Sequence, residues 1–324
     1  MVADTRAAEN RLQPAQYAAP MQKLERALAE ANHVVLGKEQ QIRLCVTCLL
    51  AGGHLLIEDI PGVGKTTLAH ALARVLGLSY QRIQFTSDLL PADIIGASIF
   101  ERQTESFRFH PGPIFAQLIL ADEVNRATPK TQSALLEAME ERQVTVDAET
   151  RALPQPFFVI ATQNPLQQVG TFPLPESQLD RFLMRIELGY PGPDAERDLL
   201  RGRDRREVLA ALQPVLDPRD LSALREAAAK VHVSDALLDY LQALVRHTRE
   251  GNRFENGLSP RAALGLKHAA QVWALLAGRS GVLPEDLQAV LPGVAGHRLH
   301  PRGGREAPPA AQLARELLEA VPIP

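Results

Sequence analysis

A doubly wound parallel α/β sheet followed by an all-α domain is the fold class this sequence predicts. Three observations predict it. Residues 21–190 alternate short apolar runs with helix-forming stretches. One apolar run, Leu55-Leu56-Ile57, leads at once into a glycine-rich turn and a helix. From Asp194 onward, past Pro191-Gly192-Pro193, the pattern is almost entirely helical. Strands of a parallel sheet are covered on both faces and need near-continuous apolar side chains, while the alternation with helices supplies the cover.

The elements follow in order. Residues 1–20 are polar and Ala-rich, lack the apolar stretch of a signal peptide, and read as a mobile arm. Met21–Asn32 is an amphipathic helix, and Val34-Val35-Leu36-Gly37 is a short apolar turn before a helix at Gln40–Leu50. Strands are expected at His54–Ile57, Gln81–Thr86, Gln117–Ala121 and Phe157–Thr162. Between them lie helices at Leu68–Leu76 and Pro129–Arg142, the second with Thr128 as N-cap and Pro129 at the first helical position. Two pieces do not fit a plain α/β unit. Ile99–Phe109 reads as two short strands around the turn Arg102–Ser106, and Gln143–Leu153 as a hairpin turning through Asp147-Ala148-Glu149. Such protrusions carry function in many proteins, and a passive surface hairpin is the competing reading. The second domain offers helices at Ala195–Arg201, Leu221–Val231, Asp235–Arg249 and Pro260–Ala277, with Ser234 and Ser259 as N-caps. The domain limits are then 21–190, a linker with one helix over 191–205, an all-α unit over 206–300, and a Pro/Gly-rich tail with a short helix over 301–324.

Composition excludes several classes. The chain has 324 residues, 45% hydrophobic and 23% charged, which describes a soluble globular protein of two domains. A net charge of −3 gives no global electrostatic case for nucleic acid or an anionic membrane. No apolar run is long enough to span a bilayer, so the expected location is the cytoplasm. The two cysteines, Cys45 and Cys48, have C-x-x-C spacing but no second ligand pair, and they fall one turn apart on a helix. Core packing is the better reading for both.

Residues 58–67, Glu-Asp-Ile-Pro-Gly-Val-Gly-Lys-Thr-Thr, read as a phosphate-binding loop. Pro61, Gly62, Val63 and Gly64 form the curl, in which successive N–H groups point inward and the helix N-terminus adds positive potential. Lys65, one of six lysines, is placed to reach the β/γ-phosphates, Thr66 to bind Mg²⁺, and Thr67 is a further candidate contact in the loop. The strict pattern has glycine where Asp59 stands; Asp is among the residues that best tolerate unusual backbone angles there. Val35 and Gly37 are further candidate nucleotide contacts. The run Leu118-Ile119-Leu120-Ala121-Asp122-Glu123 is an apolar strand ending in two acids. Beside a phosphate loop, Asp122 is the candidate holder of Mg²⁺ and Glu123 the candidate base that deprotonates the attacking water. Asn164 follows a further apolar strand and can hold that water or a phosphate, or can be a turn Asn before Pro165.

These features, in this order and followed by a helical domain, resemble an AAA+ ATPase. The stretches Ser87–Pro91, His110–Pro113, Ala121–Ala127, Gln132–Val146, Ala161–Pro165 and Leu174–Phe182 resemble the MoxR family closely, over residues of about 24–300. The resemblance implies a P-loop NTPase sheet with a C-terminal all-α lid. It implies that Asn164 is the sensor-1 residue and Arg181 an arginine finger acting on a neighbouring subunit. It implies that Arg261 is sensor 2, reaching the γ-phosphate of its own subunit. A surface salt bridge is the plain alternative for each arginine. The hairpins become the helix-2 insert and the pre-sensor-1 hairpin, engaging clients on the central face of a hexameric ring. The implied function is ATP-driven remodelling or maturation of client proteins, often metal-cofactor enzymes, beside a von Willebrand factor A-domain partner. A nucleic-acid motor or loader is an alternative, motivated by Arg102, Phe107, Arg108, Phe109 and His110 on the first hairpin. A magnesium-chelatase-type motor subunit is another. A guanine-reading switch is disfavoured, because Asn-Lys-x-Asp does not occur.

Overall fold

A computed structural model of the chain describes residues 14–165, 170–202, 204–250, 253–303 and 308–323. Its strands are β1 (Leu55–Glu58), β2 (Tyr80–Gln84), β3 (Gly96–Glu101), β4 (Ser106–Pro111), β5 (Leu118–Asp122), β6 (Gln143–Val146), β7 (Glu149–Ala152), β8 (Phe158–Gln163) and β9 (Met184–Ile186). Five of them form one sheet in the order β2-β5-β8-β1-β9, with every neighbouring pair parallel. β1, β5 and β8 are the central three, and their apolar residues alternate between two cores. Leu55, Ile57, Leu118, Leu120, Phe158 and Ile160 face one core, while Leu56, Ile119, Ala121, Val159 and Ala161 face the other. Side chains two apart share a face, so a run that is apolar throughout can feed both layers. β9 was not expected. Its three residues are too few for a periodic signal, and only the sheet defines them as a strand.

The helices of the first unit are α1 (Pro14–Val34), α2 (Glu39–Leu50), α3 (Lys65–Val75), α4 (Pro91–Ile95), α5 (Pro129–Glu141) and α6 (Glu176–Leu179). Thr128 stands at the N-cap of α5, yet its hydroxyl pairs with that of Thr131 and caps no backbone N–H. α1 begins seven residues before the expected Met21. Tyr17 extends the stripe of Met21, Leu24, Ala27 and Ala31 onto the core, so the expected arm is helical from Pro14; its earlier residues lie outside those described. Cys45 and Cys48 are fully buried and free, and burial pushes both thiols well above their usual range. Core packing is what they do.

The second unit holds α7 (Pro193–Arg201), α8 (Arg205–Ala211), α9 (Pro218–Ala229), α10 (Asp235–Arg249), α11 (Pro260–Leu276), α12 (Pro284–Ala295) and α13 (Ala310–Ala320). Ser234 and Ser259 cap α10 and α11 through their hydroxyls, at 3.3 and 3.1 Å. α12 was not among the expected helices, and it carries Pro292-Gly293, two residues of low helix propensity. Its Leu287, Val290, Leu291 and Val294 are fully buried, and that burial outweighs the local cost. α13 packs Leu313, Ala314 and Leu317 into the same core. Residues 310–320 therefore belong to the helical domain and are no tail; residues 304–307 lie outside those described.

His54, just before β1, pins the sheet to α5. The Val159 N–H donates to its Nδ1 at 3.0 Å, so the ring proton is on Nε2, which donates to the Met139 carbonyl at 3.1 Å. Burial pushes this imidazole from 6.5 down to about 4. Above pH ~6.5 it is neutral folded and unfolded, and pH has no hold through it. Between there and pH ~4 only the unfolded chain takes up the proton, so stability falls as pH falls, by about 3 kcal/mol in full. Urea unfolding midpoints measured from pH 7.5 to 4.5 should fall accordingly. His54→Gln, which can still donate and accept, should flatten part of that slope; superimposable slopes would exonerate the imidazole.

Candidate functional site

The carboxyl ends of the central strands set the site. β1 exits into the loop 59–64, and α3 begins at Lys65. Gly62 and Gly64 have φ of +88° and +97°, and a Cβ on either would meet nothing within 4 Å. Backbone angle is therefore what requires glycine here, since L side chains disfavour that region. The parallel register aligns Glu58 with Gln163 and Gln84 with Asp122, so β1, β8, β5 and β2 deliver their last residues to one edge. A cavity of about 350 Å³ opens there, lined by Pro61, Gly62, Gly64, Lys65, Thr66, Arg82, Asp122, Glu123 and Asn164. Topological switch points of parallel sheets are where such sites form.

Most of the predicted residues meet in that cavity. Val63 and Thr67 lie in the loop and helix without lining it, and Val35 and Gly37 also stand apart. Val35 is buried in the core, and Gly37 (φ +67°) passes 2.9 Å from Ala195 when given a Cβ.

Asp122 and Glu123 are held by residues that no sequence pattern singles out. The Thr162 hydroxyl donates to Asp122 Oδ1 at 2.5 Å and accepts the Glu123 N–H at 2.9 Å. Glu123 has a φ of +57°, a left-handed conformation uncommon outside glycine. One hydroxyl thus fixes both acids, and the unusual backbone turns the Glu123 side chain out of the strand line into the cavity. Arg82 Nη2 pairs with Asp122 Oδ2 at 2.6 Å and with Gln84 Oε1 at 2.8 Å. The Gln84 amide then donates to Glu123 Oε2 at 3.1 Å, and Arg126 Nε stands 3.1 Å from the same oxygen. Arg82 and Gln84 were legible only as polar residues at the end of a strand. Behind them, the buried Gln132 amide donates to the carbonyls of Val124, Ala127 and Phe172 and braces the segment after the acids.

Lys65 Nζ donates to the Asp59 carbonyl and, at 3.2 Å, to that of Ile60. Desolvation lowers its pKa, with Asp59, Asp122 and Glu123 opposing. An ammonium, inward N–H groups and a helix N-terminus make the cavity a site for a polyanion. The Asp122 carboxylate and Thr66 hydroxyl are hard oxygen donors and suit Mg²⁺. Among the described residues no three His, Cys, Asp or Glu side chains gather to hold a metal alone. This is the donor set of an ion that keeps phosphate and water ligands.

Arg181 and Arg261 are not in this cavity. Arg181 Nε and Arg261 Nη1 both pair with Glu140, at 3.1 and 2.8 Å. They line a second pocket of about 440 Å³ with Gly53, His54, Leu183 and Arg298, at the amino-terminal edge of the sheet. The four residues of β1 alone put ~13 Å between the two edges. The expectation that Arg261 reaches the phosphates of its own subunit is therefore corrected. The helical domain sets α11 against the amino-terminal edge, so closely that a Cβ on Gly265 would lie 2.6 Å from Leu183.

Residues 54–184 match the ATPase family associated with various cellular activities (AAA), and residues 246–320 match the AAA lid domain. Protein YeaC of Bacillus subtilis, itself uncharacterized, is 45% identical over 93% of this chain and 95% of its own length. Chaperone MoxR1 of Mycobacterium tuberculosis is 43% identical over 87% of this chain and 77% of its own. A crystal structure from Cytophaga hutchinsonii superposes with a TM-score of 0.87 at 36% identity, covering 99% of both chains. With a phosphate loop, a strand-end acid pair and a helical lid in one chain, this protein belongs to the MoxR family of AAA+ ATPases.

Proposed function

We propose that the protein hydrolyses ATP with Mg²⁺ and uses the energy to remodel or mature client proteins, as a cytoplasmic ring of six copies. The observation that carries this reading is the division of charged residues between two edges of one sheet. Lys65, Asp122, Glu123 and Asn164 line the phosphate cavity, whereas Arg181 and Arg261 lie together at the opposite edge. Neither arginine can serve its own cavity from there. A second copy that brings its amino-terminal edge to this cavity supplies both, and repetition of that head-to-tail contact closes a ring.

In that assembly the loop N–H groups and Lys65 hold the phosphates, and Thr66 and Asp122 hold Mg²⁺. A bound Mg²⁺ neutralises phosphate charge and orients the terminal group. Glu123 takes the proton of the attacking water, and Asn164 keeps that water in line. Thr162 keeps both acids aimed, so geometry does not have to be assembled at each turnover.

The hairpins support a client-handling role. β3–β4 exposes Ile99, Phe100 and Phe107, the last 75% exposed, with the two Phe rings 5.4 Å apart. Phe109, by contrast, is covered by Arg151 of β7, whose guanidinium lies 3.9 Å from its ring centroid. The exposed rings thus stand beside basic groups that Glu101 partly neutralises, Arg108 at 3.4 Å and His110 at 3.7 Å, which suits a protein segment better than a nucleic-acid strand. The cation–π contact brings the two hairpins together. MoxR1 is named a chaperone, and a von Willebrand factor A-domain protein fits beside such a ring.

Specific ATPase activity, read as phosphate release per chain, should rise with protein concentration and plateau as the oligomer forms in a parallel sedimentation series. Activity per chain that stays constant from monomer to oligomer would remove the shared-site reading.

A further inference from the structure

Asp59 stands where the strict phosphate loop has glycine, and backbone tolerance does not explain it. Among the described residues, Asp59 is not one of the non-glycine positions with positive φ. Its side chain is buried and makes three charge-assisted hydrogen bonds. Oδ1 accepts the Ile60 N–H at 2.7 Å, and Oδ2 accepts the N–H groups of Leu188 and Gly189 at 2.7 and 2.6 Å. Leu188–Tyr190 is the strap by which the chain leaves β9 and passes, through Pro191-Gly192, into α7 and the helical domain.

The strap is gripped from a second direction. Lys38, also buried, donates from Nζ to the carbonyls of Leu188 and Tyr190 at 2.6 and 2.8 Å. One buried carboxylate therefore holds the strap's N–H groups and one buried ammonium its carbonyls. Between them Gly189 takes a φ of +64°, a conformation that glycine reaches without strain and that makes it a fit hinge. A plain brace between domains would be apolar; two desolvated charges are costly unless bonded, and here the carboxylate accepts three hydrogen bonds and the ammonium donates two.

The same residue touches the phosphate-binding lysine. Lys65 Nζ donates to the Asp59 carbonyl, so one side of this peptide bears the strap anchor and the other the cation. An ammonium has three donors, and Lys65 spends two of them on the carbonyls of Asp59 and Ile60. A lysine that turns to phosphate oxygens gives up one or both. The Asp59–Ile60 peptide then loses the cation on its carbonyl, and the residue so released carries the carboxylate holding Ile60, Leu188 and Gly189.

We propose that Asp59 is a positioning residue that couples phosphate binding at Lys65 to the set of the Leu188–Tyr190 strap, and so to the helical domain. The proposal rests on the reading of the cavity as a nucleotide site. It has a second consequence of opposite sign. The Asp59 carboxylate holds negative charge near Lys65 and near incoming phosphates, so its removal should strengthen nucleotide binding while it disconnects the strap.

The test uses the full-length protein, with a fluorescent ADP derivative for affinity and hydrogen–deuterium exchange for the strap amides Leu188 and Gly189. In the wild type, nucleotide should change the exchange of these amides by ~3-fold or more, a local opening effect. In Asp59→Gly the nucleotide should bind at least as tightly as in wild type, and exchange at the strap should be fast and the same with or without it. Asp59→Asn is the second variant. It keeps size and one acceptor but sets an amide donor against backbone donors, so it should lose most of the nucleotide response with little risk to folding. A strap that responds to nucleotide in both variants as in wild type would overturn the proposal. So would a wild-type strap that is silent while nucleotide binds. A wild type that binds no nucleotide would instead overturn the reading of the cavity, and the two failures are thereby told apart.

Discussion

Replacing Glu123 by glutamine will leave nucleotide bound and stop its turnover. The amide keeps the shape of the carboxylate and can still pair with Gln84, so the cavity and the Thr162 contact to the Glu123 backbone should persist. What is lost is the base. Removal of a general base from a positioned water costs ~10²-fold or more in rate. Lys65→Ala should fail one step earlier, because it removes the cation that faces the phosphates. Single-turnover hydrolysis beside equilibrium binding of a fluorescent ATP derivative separates the two. Wild-type turnover in Glu123→Gln would show that another group takes the proton and that the Asp122-Glu123 pair has been misread.

Arg181→Ala should bind ATP normally and hydrolyse it ~10³-fold more slowly, the scale of a lost arginine finger. The more telling result comes from mixing. When Arg181→Ala and Glu123→Gln chains are combined in equal amounts, about a quarter of head-to-tail interfaces bring an intact Glu123 to an intact Arg181, so activity should partly return. Arg261→Ala mixed with Glu123→Gln should recover in the same way. If Arg261 instead served its own cavity, no subunit in that mixture would hold both intact residues and nothing would return. Arg181→Ala mixed with Arg261→Ala should not recover, because the two arginines sit on one Glu140 and are offered together by one subunit. Steady-state phosphate release, with exchange of subunits shown by native mass, reads all three mixtures. No recovery in the first, in rings shown to mix, would end the assignment of Arg181 to a neighbour's nucleotide.

The sequence determined what depends on neighbours along the chain. The central strands are continuous apolar runs because both faces of each are covered, and that pattern is local. The phosphate loop is equally local: Gly62 and Gly64 at left-handed angles, then Lys65 and Thr66 at the start of a helix, need nothing from the rest of the chain to be recognised. The same holds for the Asp122-Glu123 pair and for Asn164, each at the end of an apolar strand, since parallel strands must bring such ends to one edge. α12 and β9 were not among the expected elements, because α12 carries Pro292-Gly293 and β9 has only three residues, and in both cases burial against distant segments outweighs local preference.

Tertiary structure alone decided what depends on partners distant in sequence. Thr162 fixes both acids only because β8 lies beside β5. Arg82 reaches Asp122 only because β2 lies beside it on the other side. Arg181 and Arg261, each recognisable in its own short stretch, meet on Glu140 at the edge away from the phosphates, and this overturns the route expected for Arg261. Asp59 looked like a lapse in a motif, yet its carboxylate holds the strap to the helical domain more than a hundred residues downstream. The physical reason is the range of the forces involved. Backbone angle and hydrophobic periodicity act over a few residues and are written in the sequence. A hydrogen bond or ion pair acts over about 3 Å of space, whatever the distance along the chain, and only the folded sheet says which groups come that close.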